Sequence, residues 1–169
     1  MSVTAQIAAT YRGPGRVMHG FMAGPVREDR ALVYLMLACL LMFLAQWPRL
    51  IRTSLSGGAA PVDAALGAAL FGWLFMAPLF FYALAALARI LAALLGGAGT
   101  WYGARMALFW ALLATTPLWL VAGLVAGVAG QGWISDLAGL IPALAFLVIW
   151  LLSMRAAEAQ SGANRAEET

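Results

Sequence analysis

The chain has 169 residues, of which 64% are hydrophobic and 10% are charged, and its mean hydropathy is +0.89. A soluble domain carries about 25% charged residues and about 45–50% apolar ones. A water-soluble globule of this length has too little interior to hide so much apolar surface, which excludes soluble enzymes, disordered tails and disulfide scaffolds. The composition predicts an integral membrane protein.

The first thirty residues predict an arm of two short helices that precedes the membrane-spanning part. Apolar side chains recur at helical spacing in two groups: Val3, Ile7 and Tyr11, then Val17, Met18, Phe21 and Met22. Pro14 suits the first turn of the second helix. We expect both helices to lie on the cytoplasmic leaflet, apolar side down, with Arg12 and Arg16 directed toward phosphates. The alternative is a flexible tail with accidental periodicity.

Four uncharged stretches are long enough to cross a bilayer, because a membrane-crossing helix needs about 20 mostly apolar residues. Charged residues and a helix-breaking Gly-Gln-Gly sequence at 130–132, called the breaker run below, delimit the expected spans. These spans are 31–48, 64–88, 106–129 and 134–154. The predicted fold class is therefore all-α, a polytopic membrane bundle of four transmembrane helices. The arm (1–30) precedes this domain (31–154), and a tail (155–169), expected to be disordered, follows it.

The arginines give the bundle an expected orientation. With four spans, two arginines, Arg49 and Arg52, fall on one side of the membrane. Eight fall on the other side: Arg12, Arg16, Arg27, Arg30, Arg89, Arg105, Arg155 and Arg165. Positive charge accumulates in cytoplasmic loops, so both termini are predicted to be cytoplasmic. The pI of about 9.6, with basic residues scattered among apolar spans, favours anionic lipid head groups over nucleic acid as partners.

Reactive side chains are too few to form a recognisable reaction centre. One cysteine, Cys39, and one histidine, His19, exclude an internal disulfide and paired haem ligands, and no cluster of ligating residues suits a metal. No ionisable residue lies near the centre of an expected span, where proton relays and substrate paths usually place one. The sequence therefore predicts no catalytic residue, no cofactor and no metal site, and it indicates that the chain is not an enzyme.

Small residues and prolines within the spans predict how the helices pack. Small side chains recur at four-residue spacing at Ala64, Ala68 and Gly72 and at Gly123 and Gly127. This spacing lets helix backbones approach closely in lipid and favours a compact bundle. Prolines at 78, 117 and 142 each favour a kink, and Thr115 and Thr116 are placed to satisfy backbone groups before Pro117.

The loop between the second and third spans predicts a tight helix–turn–helix. Gly96 or Gly97 can end the preceding helix in a left-handed conformation, and Thr100 can cap the next one. Trp101 follows as an aromatic anchor, and Arg105 closes the segment.

The loop reads Leu94-Leu95-Gly96-Gly97-Ala98-Gly99-Thr100-Trp101-Tyr102-Gly103-Ala104-Arg105, and the span that follows it contains Pro117. This pattern resembles the YIP-domain family (Ypt/Rab-interacting proteins and their bacterial relatives). The arm segment from Tyr11 to Met18 is similar to the family's proline-then-basic segment. The combination looks like the short alphaproteobacterial members, which implies a bacterial inner-membrane location. The family implies a multi-span helical protein without known catalysis. Its eukaryotic members are linked to vesicle traffic and small GTPases, but they usually have five spans and a long soluble N-terminal region, so GTPase binding is not carried over.

Two functions are compatible with these features. The preferred one is a non-enzymatic scaffold or adaptor that binds anionic lipids or other membrane proteins, or associates with itself. The alternative is a small channel or transporter component that acts as an oligomer and lines a path with its kinked helices. The residues expected to carry an interaction are Arg12, Pro14, Arg16, Gly96, Gly97, Gly99, Thr100, Trp101, Arg105 and Pro117.

The predicted orientation can be tested with reporter fusions after Thr169. A fluorescent protein fused there should fluoresce, and alkaline phosphatase fused there should be inactive, because the arginine bias keeps this end in the cytoplasm. The opposite pair of results would contradict the topology.

Overall fold

The computed structural model describes residues 2–56, 61–130 and 132–167, and from 164 onward it describes the backbone alone. In these ranges the chain forms six helices and no strand, which confirms the all-α prediction. The helices are α1 (Val3–Arg12), α2 (Pro14–Met22), α3 (Glu28–Leu55), α4 (Val62–Leu94), α5 (Trp101–Ala129) and α6 (Trp133–Glu167). Helices α3 to α6 are each long and apolar enough to cross a membrane.

Helix α5 is the centre of the bundle. From 102 to 116 its side chains are buried, apart from the partly exposed Arg105. Helices α3 and α6 make its largest contacts, and α4 packs on it less extensively. Helix α4 is the most exposed, since Ala85 is its one buried residue. The core therefore surrounds the first half of α5, while α4 presents most of its apolar surface outward.

The small residues of α5 bring it close to α3, as predicted. A side chain built at Gly123 would collide with the carbonyl of Ala45, and one built at Gly127 would collide with Pro48. The backbones approach so closely that neither position has room for a larger side chain. The small residues of α4 behave differently, because Ala68 is exposed and no described heavy atom lies within 4 Å of a side chain built at Gly72.

The backbone adapts to the prolines in two ways. In α4 a wider turn at Gly72–Met76 precedes Pro78, and the Ala77 N–H donates to the Gly72 carbonyl, five residues back. In α5 the carbonyl of Leu113 loses its helical partner to Pro117, and the Thr116 hydroxyl donates to it at 2.8 Å. The expectation that threonines satisfy groups before Pro117 is confirmed.

The helix ends also follow local chemistry. Gly96 has φ +84°, so it is the left-handed residue that ends α4. Thr100 accepts from the Gly103 N–H at 3.0 Å and caps α5, which confirms the predicted turn. At the other end of α5, the Arg52 guanidinium donates to the carbonyls of Gly127 (2.8 Å) and Val128. A cation at this position complements the negative end of the helix dipole.

Two segments differ from the sequence-based expectation. The tail expected to be disordered from 155 continues α6 as helix to Glu167, because Ala157 is buried and the surrounding residues pack on other elements. Residues 168 and 169, and Gln131 of the breaker run, lie outside the described residues. The arm forms the two predicted helices, but its apolar face is turned toward the bundle: Met18 and Phe21 are buried in the protein core.

The contact between α3 and α5 predicts the effect of G123A. The added methyl group must displace the Ala45 carbonyl, so we expect about 1–3 kcal/mol of destabilisation. G67A is the matched control, because nothing lies within 4 Å of that position and alanine favours the helix. Thermal unfolding in detergent measures both, and an unchanged midpoint for G123A would contradict the close approach.

Candidate interaction site

The extension of α6 beyond residue 154 contacts two segments that are far from it in the sequence: α2 and the loop between α4 and α5. His19 Nδ1 of α2 lies 2.9 Å from Gln160 Oε1, and Gly15 of the same helix faces Ala156. On its other side the extension meets the loop, where Ala98 lies against Gly162. We call α2, the loop at 95–100 and residues 155–163 of α6 the platform.

The Glu158 carboxylate holds the loop in place. The Gly99 N–H donates to Glu158 Oε2, and Arg89 Nη1 lies 3.7 Å from Glu158 Oε1. The side chains of Arg89 and Glu158 are only 13% and 19% exposed. A side chain at Gly97 or Gly99 would have to displace this carboxylate, and one at Gly97 would also meet the Ala92 carbonyl oxygen at 2.8 Å. The partly buried Glu158 carboxylate is thereby paired with a cation and an amide.

The arm is held against α5 by two hydrogen bonds. Trp110 Nε1 donates to Thr10 Oγ1 at 3.0 Å, between two buried residues, and the Tyr11 hydroxyl donates to the Ala114 carbonyl at 2.7 Å. Burial raises the pKa of the Tyr11 hydroxyl, so it remains a donor at physiological pH. Phe21 adds an edge-on ring contact to Trp110, with centroids 4.9 Å apart. The arm is thus part of the packed bundle.

The platform and its surroundings contain most of the predicted interaction residues. Gly96, Gly97, Gly99 and Thr100 shape the loop, and Trp101 follows it with 53% of its surface exposed. Arg105 makes a two-pronged ion pair with Glu28 at the start of α3, with Nε 3.1 Å from Oε2. Pro117 lies further along α5, in the half that is less enclosed, and is not part of this assembly.

The arm residues lie together at a cavity beside the platform. Pro14 is the first residue of α2, and Arg12 and Arg16 flank it at the junction of the two arm helices. Both arginines, with Arg30 of α3, line a cavity of about 470 Å³. We call the end of the bundle that carries this cavity and the platform the arginine-rich end.

Glu158 is the residue that sequence reasoning missed. It falls after the last expected span, in the segment assigned to the tail. The available signal was the glycine-rich loop itself, because closely spaced glycines often mark a close approach of another group to the backbone. Which group approaches could not be known, since Gly99 and Glu158 are 59 residues apart.

A second cavity, of about 350 Å³, lies at the opposite end of the bundle among α3, α4, α5 and α6. Gln46, Arg49, Trp73 and Ser135 contribute to its lining. Trp119 also lines it, and its indole Nε1 is buried with no hydrogen-bond partner among the described residues. This cavity can accept a small molecule that offers a hydrogen-bond acceptor.

The described His, Cys, Asp and Glu side chains are dispersed. No three His, Cys, Asp or Glu side chains come together in residues 2–56, 61–130 and 132–167. Cys39 is buried in the core, and His19 is exposed beside Gln160. The arrangement offers positive charge, exposed apolar side chains and a clamped loop, which are features of binding.

The fold defines an integral membrane protein of the helical-bundle class. Comparison of the chain with family models, with characterised proteins and with solved structures gave no match.

The clamp predicts that E158Q loosens the loop. Losing the charge removes the ion pair to Arg89 and weakens the bond from the Gly99 amide, so hydrogen exchange at 95–101 should quicken about 10-fold. D29N is the matched control, because Asp29 pairs with Arg27 in an exposed bridge of the same charge type. Equal exchange in wild type and E158Q would contradict the clamp.

Proposed function

We propose that this integral membrane protein is a non-enzymatic scaffold or adaptor that binds lipids or other membrane proteins through its platform. The observation that carries the proposal is the clamp at Glu158, which fixes the loop to the helix extension, while the contact of His19 with Gln160 joins the arm to the same extension. A surface held by such polar contacts is pre-organised, so a partner binds it without the entropy cost of ordering it.

The surface beside the clamp favours contact with another apolar body. Leu94, Leu95 and Trp101 stand next to the loop with 78%, 89% and 53% of their surface exposed. Aromatic residues at the membrane interface anchor proteins to head groups, and they are also enriched in protein interfaces. We propose that these three side chains engage the bilayer interface or a membrane protein that lies against it.

The location is part of the proposal. We propose that the arginine-rich end faces the cytoplasm of a bacterial inner membrane, with both termini on that side, because eight arginines lie toward this end and two toward the other. The resemblance of the loop and the arm to the YIP-domain family supports a binding role without catalysis.

A small channel or transporter component is the second candidate, and the cavity near Trp119 is the observation that favours it. The buried first half of α5 lies between this cavity and the arginine-rich end. Transport would therefore require α5 or its neighbours to move, whereas binding at the platform requires no change. Solute flux in liposomes would support this candidate over the scaffold.

Partner capture tests the scaffold with a matched pair of variants. Trp101 and Trp133 are both the exposed first residue of a membrane-spanning helix, at opposite ends of the bundle. Crosslinking in native membranes, followed by mass spectrometry, should recover a reproducible partner from wild type and W133Q. W101Q should recover at least about 10-fold less, because an aromatic anchor contributes strongly to an interface.

Two outcomes of this capture would contradict the scaffold. Equal recovery from W101Q and W133Q would remove the platform as the docking surface. No reproducible partner from wild type, together with solute flux, would favour the transporter.

A further inference from the structure

Among the described residues, the cavity at the arm is lined by three arginines and no acid. Arg12 and Arg16 come from the arm, and Arg30 comes from the start of α3. Arg30 Nε donates to the Tyr34 hydroxyl at 2.7 Å, and its guanidinium lies 4.8 Å from the centre of the Phe21 ring. These contacts hold one guanidinium in a fixed position at the cavity.

The acids nearest to Arg30 in the sequence are already engaged. Glu28 pairs with Arg105, and Asp29 pairs with Arg27 at 2.9 Å. In the part of the chain that the structure describes, Arg12, Arg16 and Arg30 form no ion pair. Three guanidiniums that share a cavity without a counter-charge repel one another, so an anion bound between them is favoured.

Two further features point to a ligand with more than one kind of polar group. Gln6 lines the cavity, and its buried Oε1 atom has no hydrogen-bond partner within the described ranges. It can accept from a hydroxyl group on a ligand. The Arg16 guanidinium lies over Gly13, with Nε 2.9 Å from the point where a side chain would start, so glycine makes room for this guanidinium at the cavity.

We propose that this cavity binds a phosphate ester that also carries a hydroxyl group. Arginine forks match phosphate oxygens in two-pronged hydrogen bonds, and Gln6 receives the hydroxyl. This inference rests on the lipid-binding part of the proposed function and names its ligand. The phosphate can belong to a lipid head group or to a free phosphate ester.

The surroundings of the cavity favour the lipid as the source. Arg30 lies in the first turn of α3, where the membrane-spanning helix begins, and the apolar side chains of Val17 and Phe21 form part of the wall. A ligand with a charged head and an apolar remainder matches both features. A bilayer supplies such a ligand at this depth, because phosphates lie just outside the hydrocarbon core.

The test uses the full chain in nanodiscs of phosphatidylcholine that contain a minor fraction of phosphatidylglycerol or phosphatidic acid, with bound lipid counted by native mass spectrometry. Phosphatidylglycerol carries both a phosphate and hydroxyl groups. We expect wild type to retain it about 10-fold over phosphatidylcholine, and R12Q/R16Q to lose this preference. R12Q and R27Q form the matched pair, because each removes one charge from an exposed arginine but only Arg12 lines the cavity; R12Q should weaken the preference and R27Q should retain it.

Two more variants keep the test informative if R12Q/R16Q folds poorly. R12K/R16K preserves the charge but loses the two-pronged geometry, so retention should still fall several-fold. Q6L should lower retention of phosphatidylglycerol and leave that of phosphatidic acid unchanged, because phosphatidic acid has no alcohol group in its head group. Equal losses in R12Q and R27Q would overturn the site, since net charge would then explain the binding.

A competition arm separates the two sources of phosphate. If glycerol 3-phosphate at millimolar concentration displaces the lipid from wild type, the cavity takes a free phosphate ester; if it does not, the site is specific for the lipid. Loss of the lipid preference with intact partner capture would refute this inference alone. Loss of capture with an intact lipid preference would refute only the protein-binding scaffold.

Discussion

The burial of α5 from 102 to 116 is the constraint on which the rest of the structure depends. A helix enclosed by other helices has no water nearby, so each of its free polar groups must find a partner in the protein. The Trp110 indole N–H donates to the Thr10 hydroxyl, and the Ala114 carbonyl accepts from the Tyr11 hydroxyl. The Leu113 carbonyl, which Pro117 leaves without a helical donor, accepts from the Thr116 hydroxyl. The arm is therefore part of the core, because it supplies two of these three partners.

The few charges of the chain perform distinct tasks at the ends of the bundle. Arg105 with Glu28 joins the starts of α5 and α3, and Arg89 with Glu158 fixes the loop to the extension of α6. Arg52 donates to the Gly127 carbonyl and so caps the C-terminal end of α5. Among the described residues, Arg12, Arg16 and Arg30 at the cavity form no ion pair. Their charge is therefore available to a ligand, whereas the paired arginines hold the fold together.

The two cavities lie at opposite ends of α5 and differ in chemistry. The one at the arm is lined by three arginines, whereas the other is lined by a single arginine and two tryptophans, one with an unpaired indole N–H. The solid first half of α5 separates them. This arrangement favours two independent binding surfaces over a continuous path, which is the physical basis for preferring the scaffold.

By itself the sequence determined the membrane class, the four spans, the ends of α5 and the two arm helices. These features follow from local composition, since hydropathy, glycine, proline and capping residues act within a few positions of themselves. Gly96 and Thr100 illustrate this, because a left-handed glycine and a side-chain cap need no distant partner. The tertiary structure alone decided that Glu158 closes on Gly99 and that Thr10 meets Trp110, because these partners are 59 and 100 residues apart and meet only when the helices pack.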